Sequence, residues 1–365
     1  MGERPEERVR VMNAPDRGPK KPIRVNLYSD TQSRPTIEMR KFMAEAEVGD
    51  EQNGEDPTVN LLQDMVAEML GKEAAVFLPS GTMCNEISFA VHCRPGDEIV
   101  MHETAHPLTA EGGGPAALTG ALIRSLPGRR GLFTVEQFEA AIQFPSRYSP
   151  RTRAVSIEQT TNIAGGAIWP LETMRELCAL AHDRNLVAHL DGARLFNAVV
   201  ATGISARDYA APFDSAWIDL SKGLGAPVGA VLAGSADFID EVWRFKQRMG
   251  GAMRQAGIIA AGGVYALRHH LHRLEQDHAN AAILARGLAE LPGISLDPDL
   301  VETNIVIFDV AGTNTSADEF ADRMLDDHGV KFSTLGPTTV RAVTHLDVSR
   351  QDVELALEAA RTLLR

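Results

Sequence analysis

The segments LVAHLDGAR (residues 186–194) and SAWIDLSKG (residues 215–223) decide the fold class. Each is an apolar run of strand length that ends in polar or glycine-rich residues, which is typical of a buried strand followed by a turn. Helical patterns alternate with such runs, at residues 134–143 and 170–185. This alternation predicts an α/β protein with a mainly parallel sheet between helices. The earlier strand-like runs are AAVFLPSG (74–81), DEIVMHE (97–103), ALIRSLP (121–127) and RAVSIEQT (153–160).

The pattern changes in the last third of the chain. Residues 257–290 read as one long helical stretch, and strand-like runs follow at residues 303–310 and 338–345. Ser349 and Asp352 then resemble a capping box at the start of a closing helix. These features predict a smaller α+β unit at the end of the chain.

The chain therefore divides into three predicted parts. Residues 1–25 form a flexible tail, rich in charge and proline and without the apolar centre of a signal peptide. Residues 26–267 form a large domain that holds the ligand. Residues 268–365 form the small C-terminal domain.

Composition limits the class of partner. The net charge of −13 opposes non-specific binding to nucleic acid or to an anionic membrane. No run of 18 apolar residues is long enough to cross a membrane. Cys84, Cys93 and Cys178 form neither a CxxC pair nor a metal-ligand spacing, which fits a reducing cytoplasm better than a disulfide framework. Cys178 falls in an apolar helical pattern and is predicted to lie in the core. We expect a cytoplasmic protein with a small-molecule ligand and no bound metal.

Lys222 and Asp191 carry the chemistry that the two opening segments suggest. A lysine at the end of an apolar strand is costly to bury as a cation, and Schiff-base formation is a common reason for one in an enclosed site. A carboxylate such as Asp191 can keep a pyridine nitrogen protonated, and adjacent strands would deliver both groups to a pyridoxal-phosphate site. The alternatives are a surface lysine in a loop and a helix N-cap aspartate.

The segment PSGTMCN (residues 79–85) follows a strand-like run and opens a helix. Backbone amides at a helix N-terminus, together with small hydroxyl groups, suit a phosphate. Ser80, Gly81 and Thr82 are the candidate ligands. A turn of this composition is also common as a simple helix cap.

In their order and spacing these motifs closely resemble the threonine aldolase family, also called the β-eliminating lyase family. The resemblance covers nearly the whole chain from about Asn26. It implies an aspartate-aminotransferase-like fold with a seven-stranded sheet, a pyridoxal 5'-phosphate cofactor, and a homodimer or homotetramer. The matching segments are LYSDTQSRPT (27–36), EVGDEQNGEDPTVN (47–60), LPSGTMCN (78–85), AHPLTAEGGGPAAL (105–118), HLDGARLFNA (189–198), LSKGLGAPVG (220–229), GGAMRQAG (250–257) and VRAVTHLDV (340–348).

The resemblance implies a role for each cofactor-binding residue. Lys222 would form the Schiff base, and Asp191 would face the pyridine nitrogen. Gly81 and Thr82 would bind the phosphate, and Arg254 would serve the phosphate across a subunit interface.

It also implies roles for the residues around the substrate. His106 would stack over the cofactor ring and help the proton transfers. Arg194 would lie beside the phenolic oxygen or the substrate carboxylate, and Ser29 with Arg341 would complete a carboxylate clamp, for which a planar guanidinium is well suited. The alternatives are a loop histidine for His106, a turn residue for Ser29 and a surface strand residue for Arg341.

The leading hypothesis is a retro-aldol lyase that cleaves threonine, allo-threonine or a bulkier β-hydroxy-α-amino acid to glycine and an aldehyde. Two departures from the family pattern bear on it. Asn53 stands where the family usually has a tyrosine, and Thr161 stands where it commonly has a histidine that approaches the β-hydroxyl group. Because threonine is no base near neutral pH, His106 becomes the best remaining proton acceptor.

Two rivals remain open. One is another pyridoxal-phosphate reaction on the same scaffold, such as β-elimination, because fold does not determine the reaction. The other is a non-catalytic cofactor-binding or regulatory protein.

Two further polar clusters have simpler interpretations. His269, His270 and His272 are predicted to lie on a solvated helix face rather than to bind a metal ion. Glu55 and Asp56 are predicted to order a loop.

Overall fold

The computed structural model describes residues 22–144 and 146–365. The predicted flexible tail falls mostly on residues 1–21 and so lies outside the described residues. Within the described part of the chain, the helices are too short or too polar to span a membrane.

The strands are short and mostly buried. In chain order they are β1 (Val25–Asn26), β2 (Ala74–Leu78), β3 (Asp97–His102), β4 (Leu122–Leu126), β5 (Arg151–Glu158), β6 (Val187–Gly192), β7 (Ser215–Asp219), β8 (Ala230–Gly234), β9 (Ile305–Asp309), β10 (Val330–Lys331), β11 (Ser333–Thr334) and β12 (Thr339–Val343).

The helices alternate with these strands over most of the chain. They are α1 (Ile37–Ala44), α2 (Pro57–Leu70), α3 (Gly81–His92), α4 (His106–Thr109), α5 (Val135–Ala141), α6 (Leu171–Asp183), α7 (Leu195–Thr202), α8 (Ala206–Ala210), α9 (Ala236–Arg248), α10 (Gly257–His269), α11 (Leu274–Ala289), α12 (Ala317–His328) and α13 (Arg350–Leu363).

The central sheet has seven strands in the order β2-β8-β7-β6-β5-β3-β4. The pairs among β3, β4, β5, β6 and β7 are parallel, and β8 is antiparallel to both of its neighbours. No helix lies between β7 and β8. The chain therefore turns back directly, and β8 pairs with β7 in the antiparallel direction. The predicted mainly parallel seven-stranded sheet is therefore confirmed.

Helix α6 shows how sequence pattern becomes packing. Met174, Leu177 and Cys178 recur at helical spacing and are all buried in the core, as predicted for Cys178, while Leu171 is partly buried. Cys178 is a free thiol in this core.

The long helix predicted over residues 257–290 is wrong, because the structure has two helices there. Helix α10 ends at His269 and α11 begins at Leu274. At the break, His270 is buried and its Nδ1 lies 2.7 Å from the backbone oxygen of Leu224. Helix α10 packs on α1 and α2, whereas α11 packs on α13, so the break directs the chain from one core to the other.

The small sheet has the order β11-β12-β9, and α11, α12 and α13 share a second core with it. The short strand β1 pairs in parallel with β10, so residues 25–26 join the C-terminal unit rather than the central sheet. The capping box at Ser349 and Asp352 is present as predicted. The domain limits at residues 26, 267 and 268 stay predictions.

The histidine cluster is only partly a solvated face. His269 and His272 are exposed, as predicted, but His270 is buried and that part of the prediction is wrong. Among the described residues no group of three or more His, Cys, Asp or Glu side chains is arranged to hold a metal ion.

Candidate active site

A cavity of about 440 Å³ lies beyond the carboxyl ends of β5, β6 and β7. Strands β5 and β6 are in register there, with Glu158 opposite Asp191. Parallel sheets bind ligands at this edge. The cavity brings together most of the predicted site residues: Ser29, Ser80, Gly81, Thr82, His106, Asp191, Arg194, Lys222 and Arg341.

A wider cavity of about 840 Å³ lies elsewhere, between α5, β5 and the end of α6. Its described lining holds none of the predicted site residues. The smaller cavity is therefore the candidate site.

Asp191 is almost fully buried at the end of β6. Its Oδ1 accepts the backbone N–H of Ala193 at 3.0 Å, and its Oδ2 accepts the side-chain N–H of Asn85 at 2.9 Å. Burial raises the pKa of Asp191, and the hydrogen bond from Asn85 and the charge of Lys222 oppose that rise. A buried carboxylate that faces a cavity is a strong partner for a cationic ring N–H.

Lys222 reaches into the cavity and is not a surface lysine, since 17% of its side chain is exposed. Its Nζ donates to Oδ2 of Asp219 at 2.8 Å and lies 5.7 Å from the centre of the Trp217 ring. The other oxygen of Asp219 accepts the N–H and the hydroxyl of Ser221, which fixes the turn that carries the lysine.

The N-terminus of α3 forms one wall of the cavity. The Ser80 hydroxyl caps the helix by accepting the N–H of Met83 at 3.2 Å, and a hydroxyl that accepts in this way can still donate its own proton. Gly81 must be glycine, because a Cβ there would lie 2.3 Å from the Trp217 ring. Thr82 is exposed in the first turn. Capping and anion binding are therefore compatible at this turn.

Two arginines line the cavity in different states. Arg194 is held by Asp30 through two hydrogen bonds of 2.7 Å, and both side chains are buried. Two of its three nitrogens are thus committed to Asp30. Arg341 instead donates to neutral groups: the hydroxyl of Ser333 at 3.2 Å, the side-chain oxygen of Asn162 at 2.9 Å, and a backbone oxygen of Tyr28 at 3.4 Å.

This difference identifies Arg341 as the better anion binder of the two arginines. Burial and the neighbouring charge of Arg194 lower the pKa of Arg341, so the structure leaves its charge poorly compensated. An anion between Ser29, Arg194 and Arg341 would relieve that repulsion. Ser29 is buried and also accepts the N–H of Thr31, so it is both a turn residue and part of the lining.

His106 begins α4 with about a third of its side chain exposed. Its Nδ1 lies 2.7 Å from Oε1 of Glu111. The hydrogen bond to Glu111 raises the pKa of His106, and burial opposes the rise.

The predicted site residue Arg254 and the two departures from the family pattern, Thr161 and Asn53, lie apart from the cavity lining. Thr161 is buried, and its hydroxyl accepts the backbone N–H of Ala167 at 3.0 Å, so the side chain faces its own loop. Asn53 is exposed in a short 3-10 turn. Arg254 is 62% exposed and pairs with Asp50 at 2.8 Å.

Several lining or adjacent residues were missed from the sequence. Glu158 ends β5 just as Asp191 ends β6, so the strand-end pattern contained a signal for it. Burial and the charge of Asp191 raise its pKa to about 7. Asp219 is the last residue of β7 and carries the same strand-end signal. Asn162, Asn85 and Glu111 carry no comparable signal, because Asn162 contacts Arg341 and Asn85 contacts Glu111, which are distant in the sequence.

The arrangement suits a cofactor with a ring nitrogen, a carbonyl group and an anionic group. Asp191 offers a buried carboxylate, Lys222 an amine inside the cavity, and α3 a helix N-terminus lined by hydroxyls. Pyridoxal 5'-phosphate has these three features.

Comparison with known proteins agrees with this geometry. The family model described as β-eliminating lyase matches residues 26–312. The chain belongs to the β-eliminating lyase family. This family member is 39% identical over 91% of its length to the probable low-specificity L-threonine aldolase 2 of Arabidopsis thaliana, of which 95% is covered. It is 39% identical over 90% of its length to the low specificity L-threonine aldolase of Escherichia coli K12, of which 96% is covered.

Solved structures show the same fold. The threonine aldolase of Leishmania major superposes with a TM-score of 0.81 at 19% identity, covering 93% of this chain and 100% of that one. The aspartate aminotransferase of Rhizobium meliloti superposes with a TM-score of 0.69 at 15% identity, covering 94% and 91%. The predicted family and the aspartate-aminotransferase-like fold are confirmed, and the chain is a lyase by family.

Proposed function

We propose that this protein is a pyridoxal-phosphate-dependent aldehyde-lyase that cleaves a β-hydroxy-α-amino acid to glycine and an aldehyde. The substrate is threonine, allo-threonine or a bulkier analogue. The observation that carries the proposal is the convergence of Asp191, Lys222, His106 and Arg341 on one cavity. The relatives at 39% identity, which are named low-specificity L-threonine aldolases, support it.

The cofactor would be held by residues from three elements. Lys222 would bind its aldehyde as a Schiff base, Asp191 its ring nitrogen, and Ser80, Gly81 and Thr82 its phosphate. When bound, the cofactor supplies an electron sink for the pair released from the Cα–Cβ bond. Asp191 serves that purpose by remaining an anion beside the ring nitrogen.

Arg341 and Ser29 would hold the α-carboxylate of the substrate. Arg341 supports this role because it is buried, charged and hydrogen-bonded to neutral groups. Arg194 would contribute its charge while it remains bound to Asp30. Fixing the carboxylate fixes which bond at Cα stands in line for cleavage.

His106 would accept the proton of the β-hydroxyl group. Its Nδ1 faces Glu111, so the other ring nitrogen is the one available to substrate. Glu158, with a pKa of about 7, faces the same cavity and would buffer the charge that develops near Asp191.

The rival reaction is β-elimination on the same scaffold. Thr161 is the reason to retain β-elimination as a candidate. Where the family commonly has a histidine, this chain has a buried threonine that faces its own loop, so this position supplies no base to the cavity. Product identity separates the two reactions, since elimination gives ammonia and a keto acid.

We also propose a homodimer or homotetramer. Helices α1 and α2 both pack on α10, and the three helices carry exposed apolar side chains, namely Ile37, Phe42, Leu61 and Ile258. Arg254 lies just before α10, which supports a role for it at a cofactor phosphate of a neighbouring subunit.

The test is an amino-acid panel with the reconstituted protein and product identification by mass spectrometry. We expect glycine and an aldehyde from threonine or an aryl analogue. His106→Asn should lower turnover by roughly two to four powers of ten with cofactor content largely kept, whereas exposed His269→Asn should not. Ammonia with a keto acid would establish elimination, and the absence of any product would favour the non-catalytic reading.

A further inference from the structure

A chain of hydrogen bonds runs behind His106 and joins it to Asp191. Oε1 of Glu111 lies 2.7 Å from Nδ1 of His106 and 2.8 Å from Nδ2 of Asn85. The same Asn85 nitrogen lies 2.9 Å from Oδ2 of Asp191. The buried amide of Asn85 thus bridges the carboxylates of Glu111 and Asp191.

Trp217 fixes which way the Asn85 amide points. An indole N–H can only donate, and Nε1 of Trp217 lies 2.7 Å from Oδ1 of Asn85. The amide NH₂ group must therefore face Glu111 and Asp191, so that both carboxylates accept from it. Nε2 of His189 lies 3.2 Å from the same Oδ1 and donates there as well.

The contact with Glu111 determines which ring nitrogen of His106 carries the proton. Since Oε1 of Glu111 is an acceptor, Nδ1 of His106 carries the hydrogen of their 2.7 Å contact. In neutral imidazole the other nitrogen then holds the lone pair. His106 therefore presents Nε2 to the cavity as a base.

The carboxyl group of Glu86 interacts with that of Glu111 and extends the network. Both oxygens of Glu86 and the second oxygen of Glu111 are buried and find no donor among the described residues. The two carboxyl groups interact, so one shared proton would satisfy both. Glu111 already accepts two N–H groups and Glu86 accepts none, which places that proton on Glu86.

One further observation agrees with a protonated Glu86, and a second explains how its side chain is accommodated. Burial and the charge of Glu111 raise the pKa of Glu86 to about 8. Gly114 leaves room for it, because a Cβ there would lie 2.0 Å from Oε1 of Glu86.

Other charged groups also face this network. Asp191, Lys222 and Glu158 act on His106 from β6, the β7–β8 loop and β5. Burial lowers the pKa of His189 to about 3 and raises that of the Cys84 thiol, so these two neighbours are neutral. Glu86 and Glu111 are the remaining acidic side chains of this network.

We propose that Glu111 is a positioning residue that holds His106 with Nδ1 protonated and Nε2 as the base, and that protonated Glu86 keeps the negative charge on Glu111. The inference rests on the proposed function through the role of His106. It adds Glu111 and Glu86, which would not contact the substrate but would set the protonation of His106, which would.

Three variants separate the effect of the Glu111 charge on His106 from the effect of hydrogen-bond geometry: Glu111→Gln, Glu86→Gln and the control Glu176→Gln. Glu111→Gln removes the charge beside His106, so turnover should fall about 10- to 100-fold, by analogy with carboxylates that orient metal-bound histidines. The acid limb of the pH profile of kcat/KM should move to lower pH, because Glu111 no longer raises the pKa of His106. Exposed Glu176→Gln on α6 should change neither quantity.

Glu86→Gln mimics the protonated acid and cannot ionise. Its turnover at pH 7 should stay at least about tenfold above that of Glu111→Gln, because a donor to Glu111 is retained. Any change in the wild-type pH profile near pH 8 should be lost in this variant. Cofactor content and thermal melting curves would show that each variant is folded.

Nitrogen NMR of the wild-type holoenzyme labelled at histidine gives a readout that does not depend on turnover. We expect the Nδ1-protonated form of neutral His106, assigned by its loss in His106→Asn. Protonation at Nε2 instead would overturn the proposal, as would equal losses in Glu86→Gln and Glu111→Gln or an unshifted profile in Glu111→Gln. Failure of the wild type to form glycine would count against the proposed function alone, because the NMR result is independent of turnover.

Discussion

Lys222 lines the candidate site and forms an ion pair with Asp219. Condensation of Lys222 with an aldehyde removes the ammonium group that Asp219 now binds. Asp219 keeps its bonds to Ser221 in either state, so the turn does not depend on the lysine charge. If Lys222 forms the proposed Schiff base, this turn would keep its Ser221–Asp219 hydrogen bonds.

We predict that Lys222→Ala abolishes the borohydride-trapped lysine adduct and the visible absorption band of the bound cofactor. Exposed Lys41→Ala should keep both. Peptide mapping by mass spectrometry after reduction locates the adduct. An adduct that persists in Lys222→Ala would place the Schiff base on another lysine.

The buried pair of Asp30 and Arg194 makes stability depend on pH. Burial opposes ionisation of Asp30, but the charge and hydrogen bonds of Arg194 outweigh it and hold its pKa well below its usual range. A carboxyl group whose pKa is lower in the folded state stabilises the protein above its unfolded value of about 4. That stabilisation is lost as the pH falls through the lower, folded value.

Asp30→Asn should therefore lower the free energy of unfolding by about 3–5 kcal/mol at pH 7, because Arg194 is left buried without its partner. The difference from the wild type should shrink below about pH 4. Denaturant unfolding measured in steps from pH 7 down to about pH 2 follows both effects. Asp347→Asn, which breaks the exposed contact with Arg34, is the matched control and should cost little.

At the scale of elements, one side chain joins two helices and a loop. Oδ1 of Asp56 accepts the N–H groups of Thr58 and Val59 at the start of α2, at 3.1 and 3.0 Å. Its Oδ2 accepts those of Gly49 and Gly257, at 3.1 and 2.8 Å, and Gly257 begins α10. The predicted loop-ordering role is thus confirmed for Asp56.

Asp56→Ala should lower the free energy of unfolding by about 3 kcal/mol or more, because four N–H groups lose a buried charged acceptor. Neighbouring Glu55 is exposed, so Glu55→Ala should change it by less than about 0.5 kcal/mol. Thermal melting of the two variants side by side provides the comparison. Equal effects would mean that the loop, and not this carboxylate, fixes α2 and α10.

At the scale of the whole molecule, the candidate site is assembled from both sheets. Asp191 and Lys222 belong to the central sheet and its loops, whereas Arg341 lies on β12 of the small sheet. Ser29 arrives from the segment just after β1, which pairs with β10. The relative placement of the two sheets therefore sets the distance between Lys222 and Arg341 across the cavity.

We predict that the protein is a homodimer or homotetramer in solution, with α1, α2 and α10 at an interface. Ile37→Asp with Ile258→Asp should shift light scattering toward the monomer and weaken cofactor binding. Leu355→Asp, an exposed apolar position on α13, should leave the mass unchanged. A fully active wild-type monomer would refute the prediction.

The sequence by itself determined the alternation of strands and helices, because apolar periodicity is a local property. It also marked Asp191, Lys222 and the start of α3, since each follows directly on an apolar run. The two-helix break at His270 was not visible, because it depends on a contact with Leu224, which is distant in the sequence.

Only the tertiary structure decided how the polar residues are paired. Arg194 and Arg341 look alike in the sequence, yet one is neutralised by Asp30 and the other meets neutral groups. Thr161 faces its own loop, and Glu86 and Glu111 meet in the interior. These outcomes depend on burial and on contacts between residues far apart in the chain, which no local pattern encodes, and they determine which groups carry charge in the site.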